Sequence, residues 1–191
     1  MRKISLFLSV LILSLSSYGQ NYKQFNFQDI GLHINLPDNY VFQDNFPTPS
    51  FVDTNGKAIT DTSKLRELEA DLMKGLLVVS SPDGNNIASL NFTRQTAKTG
   101  DFVQYYEFSK HMQQMIAKQQ MTYYDTASSV LTADNVNVYR FMTADTQVNP
   151  GKHRGIYLVQ VKNYFLIIKI DFTDRKFGEE IEKAILTSKF D

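Results

Sequence analysis

Residues 164–172 limit the fold more than any other stretch of this chain. Tyr164, Leu166, Ile168, Ile170 and Phe172 fill one face of an alternating run, and Phe165 and Ile167 fill part of the other. A strand with one wet face carries a single apolar set; two sets mean cover above and below. The run therefore reads as a central strand with further layers packed on both sides. Lys162-Asn163 just before it reads as a tight two-residue turn, Asn being tolerant of the positive φ such a turn asks for. A meander of strands over 122–131, 136–144 and 155–161 leads into that turn.

The rest of the chain supplies the layers. Leu32, Ile34 and Leu36 alternate with His33 and Asn35, which predicts a half-buried strand that Phe25, Phe27 and Ile30 introduce. Residues 37–62 carry three prolines and no clear period. Leu65, Leu68 and Leu72 predict a helix over 63–74, with Gly75 at a left-handed stop. Two strands, 76–80 and 87–93, flank a turn at Pro82-Asp83-Gly84-Asn85-Asn86. The strongest helix spans 101–120, capped by Asp101. Its apolar stripe is Tyr105, Phe108, Met112, Met115 and Ile116, with the methionines in the core. Its polar stripe is Glu107, His111, Gln114 and Lys118. A last helix over about 176–188 gathers Phe177, Ile181, Ala184 and Ile185 on one face. The expected fold class is α+β: an antiparallel sheet with helices packed on its faces, an α/β/α sandwich.

The first nineteen residues stand apart. Arg2 and Lys3 precede an apolar run of about a dozen residues, and Ser17 and Gly19 stand three and one before a cut at Gln20. That is the layout of a secretory signal peptide. The run is too short to span ~30 Å of hydrocarbon comfortably. Residues 20–191 are expected to form a single domain, exported to the periplasm or the outside. The chain has no cysteine, which excludes disulfides, thiolate metal sites and a lipid-anchoring cysteine. It holds 20 Lys plus Arg and 20 Asp plus Glu; without the leader's two basic residues the balance is 18 to 20. Nucleic-acid binding would call for a basic face, and none is visible. No second apolar run is long enough for a membrane span.

Three segments resemble the PsbP/Mog-like superfamily, which includes the extrinsic PsbP protein of photosystem II, the Ran-binding Mog protein and DcrB-like bacterial envelope proteins. One is the opening run from Ile30-Gly31 to Pro37-Asp38-Asn39-Tyr40. The second is a long central helix followed by a meander with a tight turn before its last strand. The third is the ending Ile185-Leu186-Thr187-Ser188-Lys189-Phe190. Many members carry Trp where Tyr40 stands, and this chain has no Trp. The resemblance implies a binding or assembly module in a fold that is rarely catalytic; it names no partner.

Candidate chemistry is sparse. Lys152, His153 and Arg154 stand together in an expected loop, 149–155, flanked by Pro150, Gly151 and Gly155. Such a loop can hold an anion or serve a weak hydrolase, or it is an ordinary polar tip between strands. Tyr40, Phe42, Phe46 and Phe51 either line a partner surface or fold back over the sheet, where each buried ring contributes roughly 1.5–3 kcal/mol. Glu107 and His111 have metal-ligand spacing, but no third ligand is near in sequence, and a solvated helix face is the simpler reading. His33 reads as an exposed strand residue. Glu179-Glu180 beside Lys183 reads as a solvated, ion-paired helix face. Signatures such as G-x-S-x-G, H-E-x-x-H, S-x-x-K and a Gly-rich phosphate loop are absent. No cofactor or metal is expected. The preferred expectation is a non-enzymatic module binding an unidentified envelope or extracellular protein.

Overall fold

The computed structural model describes residues 21–44, 74–94, 99–119, 128–145, 151–162 and 164–191. In chain order these form β1 (Tyr22–Phe27), β2 (Leu32–Pro37), β3 (Val41–Gln43), β4 (Lys74–Ser80), β5 (Ile87–Arg94), α1 (Thr99–Gln119), β6 (Ser129–Ala133), β7 (Val136–Asp145), β8 (Lys152–Val161), β9 (Tyr164–Phe172), α2 (Arg175–Leu186) and β10 (Lys189–Phe190). The strands make a three-stranded sheet, β1-β2-β10, and a seven-stranded sheet, β3-β4-β5-β9-β8-β7-β6. All the strand pairings are antiparallel. Among the described residues the chain is a mixed α+β protein, mostly antiparallel sheet with two helices.

The doubly apolar run is β9, an interior strand paired with β5 and β8, and each of its faces is covered. Leu166, Ile168, Ile170 and Phe172 join a large buried cluster with Leu32, Ile34 and Leu36 of β2 and Phe177, Ile181, Ala184 and Ile185 of α2. Phe165 and Ile167 point the other way, into a smaller cluster with Phe141, Ile156, Leu158 and α1's Phe102 and Tyr106. The turn before β9 places Lys162 at φ 53°, while Asn163 lies outside the described residues.

Helix α2 forms where its apolar period and both ends agree. The Asp174 carboxylate accepts from the Lys176 backbone N–H at 2.9 Å, satisfying one of the orphan donors of the first turn. At the other end the Thr187 N–H and hydroxyl both donate to the Lys183 carbonyl, at 3.0 and 2.9 Å. Asn86 ties the β4–β5 turn to the start of this helix. Its side-chain oxygen accepts from the backbone N–H groups of Thr173 and Asp174 at 2.8 and 2.9 Å, and its amide donates to Ser81 at 3.1 Å.

The chain's end is fastened to both sheets, by the β6–β7 turn of the large one and the β1–β2 turn of the small one. The Asp134 carboxylate accepts from the Phe190 N–H at 2.9 Å and from Lys189 Nζ at 3.1 Å. These donors hold the Asp134 carboxyl below its usual range, the Phe190 N–H most of all. The Asp191 N–H donates to the Gly31 carbonyl at 2.9 Å. Gly31 sits at φ 67°, and a Cβ there would meet the Asp191 carbonyl oxygen at 2.8 Å, so glycine is required twice over.

Three expectations change. Helix α1 begins at Thr99, so Asp101 lies inside the first turn and is not its cap. Among its described side chains the buried ones are Phe102 and Tyr106, with Tyr105 half-buried; Phe108, Met112 and Met115 are 62, 39 and 43% exposed. The apolar arc is wider than the sheet can cover, and the aromatic side wins contact because Tyr139, Phe141 and Phe165 offer it ring partners. The side chains of Ile116 and Lys118 lie outside the described residues. Lys74 and Gly75 belong to β4, where the register shifts between Gly75 and Leu77, so Gly75 marks a bulge and not a helix stop. Residues 63–73, the rest of the expected helix, lie outside the described residues, as do 122–127 of the expected strand before Ser129.

Candidate functional site

Lys152, His153 and Arg154 do not stand in a loop: β8 starts at Lys152. Strand alternation sends neighbours to opposite faces, so the three cannot converge on one anion. His153 stacks on Phe172, ring centroids 5.3 Å apart, on the face that α2 covers. Arg154 projects from the other face and donates to the Asp171 carboxylate at 2.7 Å across the β8–β9 pair. The pull into the sheet is cross-strand pairing, which a loop reading of Gly and Pro spacing does not register.

The aromatic set divides. Tyr40 packs edge-on against Phe177 at 5.0 Å, and its hydroxyl donates to Glu180. Burial first, and then the Glu180 carboxylate, hold that phenol above its usual range. Phe42 packs on Phe25 at 5.0 Å, with the Lys23 ammonium over both rings. Phe46 and Phe51 lie outside the described residues. Tyr40 and Phe42 thus belong largely to the core margin, and Tyr40 also faces a cleft.

Two open clefts flank α2 and share Glu180. One, of about 450 Å³, is lined among the described residues by Asn39, Tyr40 and the 81–86 turn on one side, and by Thr173, Asp174, Lys176 and Glu180 on the other. Most of its polar groups are already engaged. Asp83 accepts from the Ser81 hydroxyl and from Asn85, which together hold its carboxyl below the usual range, the Ser81 bond most of all. Asp174 caps the helix, and Glu180 is bonded by Tyr40 and lies 3.8 Å from Lys176.

The second is a groove of about 560 Å³ between the outer face of β1–β2 and the flank of α2. It is lined among the described residues by Tyr22, Asn35, Pro37, Glu180, Lys183, Ala184 and Thr187. Pro37 and Ala184 give an apolar floor, and Tyr22 is 50% exposed beside it. The Lys183 ammonium and the Asn35 amide have no bonding partner among the described residues. Chemically, this groove can recognise a ligand; the first cleft largely satisfies itself.

A third polar group is structural. Tyr157, 1% exposed, donates to Glu182 at 2.8 Å, and Arg140 donates to the other Glu182 oxygen at 2.7 Å and to Ser129 at 3.1 Å. Burial, followed by the Glu182 charge, pushes the Tyr157 phenol up. Tyr22, Asn35, Asn86 and Glu182 carry no site signal in the sequence, where Lys183 has the look of a solvated ion-pair partner. In the fold Arg175 and Lys176 take the acids at i,i+4 instead. His33 is likewise engaged, at 2.8 Å from Asn26 and 2.5 Å from Asp191. Glu107 and His111 are exposed on α1. Among the described residues no three His, Asp or Glu side chains are placed to hold a metal ion, and no helix is long and apolar enough to cross a membrane.

No protein-family model and no curated protein sequence matches the chain. Solved structures do resemble it. Cyanobacterial PsbP (CyanoP) from Synechocystis sp. PCC 6803 superposes with a TM-score of 0.57 over 92% of this chain and 96% of that one, at 5% identity. A protein of Bacteroides thetaiotaomicron VPI-5482 gives a TM-score of 0.51 and 10% identity; the likeness covers 88% of this chain and about half, 48%, of that one. Identities so low speak for the backbone arrangement alone, and that arrangement is PsbP-like.

Proposed function

We propose that this chain is an exported, non-enzymatic binding or assembly module of the bacterial cell envelope, of the DcrB-like and Mog-like kind within the PsbP-like fold. Residues 1–19 are its signal peptide, and 20–191 form one α/β/α sandwich that works in the periplasm or outside the cell. The groove between β1–β2 and α2 carries the reading, because its polar groups include donors that the fold leaves open for a partner. Two separate apolar clusters, each with one helix, support the sandwich. No cofactor enters this reading.

The test has two arms in a bacterial host carrying the full gene. Intact mass of the mature protein should begin at Gln20, and the protein should fractionate with the envelope or medium. Chemical cross-linking in living cells should then trap a reproducible protein partner. Retention of the leader, or a cross-linking profile identical to that of an unrelated exported control, would contradict the proposal. The basic residues of β8 offer a second probe: a panel of anions should leave the melting temperature of the unaltered protein where it is, and an anion-induced rise that Lys152→Ala, His153→Ala and Arg154→Ala together abolish would favour an anion-binding site there.

A further inference from the structure

We infer that the β2–α2 groove takes an extended, acidic segment of a partner protein, laid alongside β2 with a carboxylate on Lys183. The inference rests on the binding-module reading and names the chemistry of its partner. Three observations meet here. Strand β10 is two residues long and pairs β2 only at Leu32 and His33. On that side, residues 34–37 of β2 have no strand beside them among the described residues, because the chain that leads into β10 is still the end of α2. Pro37 has no N–H, and over this stretch only Asn35 is exposed, so the flank offers an extended peptide few main-chain donors and side-chain contacts carry most of its recognition.

The groove opens along that flank: Asn35 and Pro37 line it from β2, and Lys183, Ala184 and Thr187 from the helix. Its charge is one-sided. Glu180 also lines it, but Tyr40 and Lys176 engage that carboxylate. Lys183 has no ion-pair partner among the described residues and keeps its donors for an incoming carboxylate. Tyr22 stands half exposed at the rim, an aromatic face for an apolar side chain of the same segment. Lysine presents a mobile point charge, which suits a single Asp or Glu on a strand.

The experiment is an amide-resolved NMR titration of the mature protein with acetyl-(Ala-Glu)4-amide, acetyl-(Ala-Gln)4-amide and an oligogalacturonate of similar length. The acidic peptide should shift the amides of Asn35, Lys183 and Thr187 in a saturable way, and the neutral peptide should bind about tenfold or more weakly, the loss expected for one charge-assisted hydrogen bond. Lys183→Gln should reduce acidic-peptide affinity by the same factor and Lys183→Arg should retain it, both with unchanged circular dichroism. Tyr22→Ala serves as an independent variant and should also weaken binding. Equal shifts with both peptides, shifts confined to other surfaces, or a response to oligogalacturonate alone would overturn the inference. A trapped partner in cells together with a silent groove would leave the binding-module reading standing and remove only this site.

Discussion

The two helices of this protein do different work on opposite sides of one strand. Helix α2 places Phe177, Ile181, Ala184 and Ile185 in the large cluster, and each is buried. Even Gly178 is committed, since a Cβ there would meet the Phe172 ring at 2.6 Å. Helix α1 is nearly twice as long, 21 residues against 12, yet its described side chains bury fully only at Phe102 and Tyr106. The difference teaches that helix length and apolar content do not set the strength of docking. Docking follows how much complementary surface the sheet offers to one side of the helix. The small β1-β2-β10 sheet adds Leu32, Ile34 and Leu36 to the α2 side, and α1 has no equivalent among the described residues.

The comparison can be broken most sharply at its anchors. Phe177→Ala should cost about 3–5 kcal/mol, seen as a midpoint lowered by roughly 10 °C in thermal unfolding. A loss no larger than that of a surface substitution would remove α2 as the anchor. Phe102→Ala, on the lighter side, should fall at the low end of the same range, about 3 kcal/mol. If it costs more than Phe177→Ala in urea unfolding, the asymmetry is reversed.

Asn86→Ala comes next. It leaves the N–H groups of Thr173 and Asp174 without their acceptor, at about 1–3 kcal/mol for each group that water does not reach. The check is chemical denaturation, with loss of order read at the α2 N-terminus. The titration of Tyr157 gives a pH test. Its folded-state pKa is raised, so its share of stability is full below the unfolded value near ~10 and falls as pH climbs above that. Tyr157→Phe should therefore flatten the alkaline decline in stability; an unchanged slope would place the titration elsewhere. The smallest effect is expected at Phe108→Ser with Met112→Gln, exposed positions on α1, within about 0.5 kcal/mol each.

These differences mirror what could be read in advance. The position of β9 was legible because an apolar set on each face has only one structural meaning. The α2 face was legible because its period and its partners agree. The α1 face was misread because Tyr105, Phe108, Met112 and Met115 form as good a stripe on paper as Phe102 and Tyr106. Only the rings of Tyr139, Phe141 and Phe165 decide between them, and those lie far off in sequence. The basic trio was misplaced for a related reason. Pro150 and Gly151 suggested a wide loop, whereas pairing of Lys152 with Asp145 carries the strand up to its edge. The groove could not be seen at all, because it arises where a two-residue strand ends and a helix turns away. That is a property of the assembled sheets and not of any local pattern.

Native-state hydrogen exchange tests the unequal cover directly. The hydrogen-bonded amides of β9 and of the body of α2 should exchange only through global unfolding, at one shared free energy, while those of α1 open earlier at a distinctly lower one. Equal protection of both helices, or α1 outlasting α2, would contradict it.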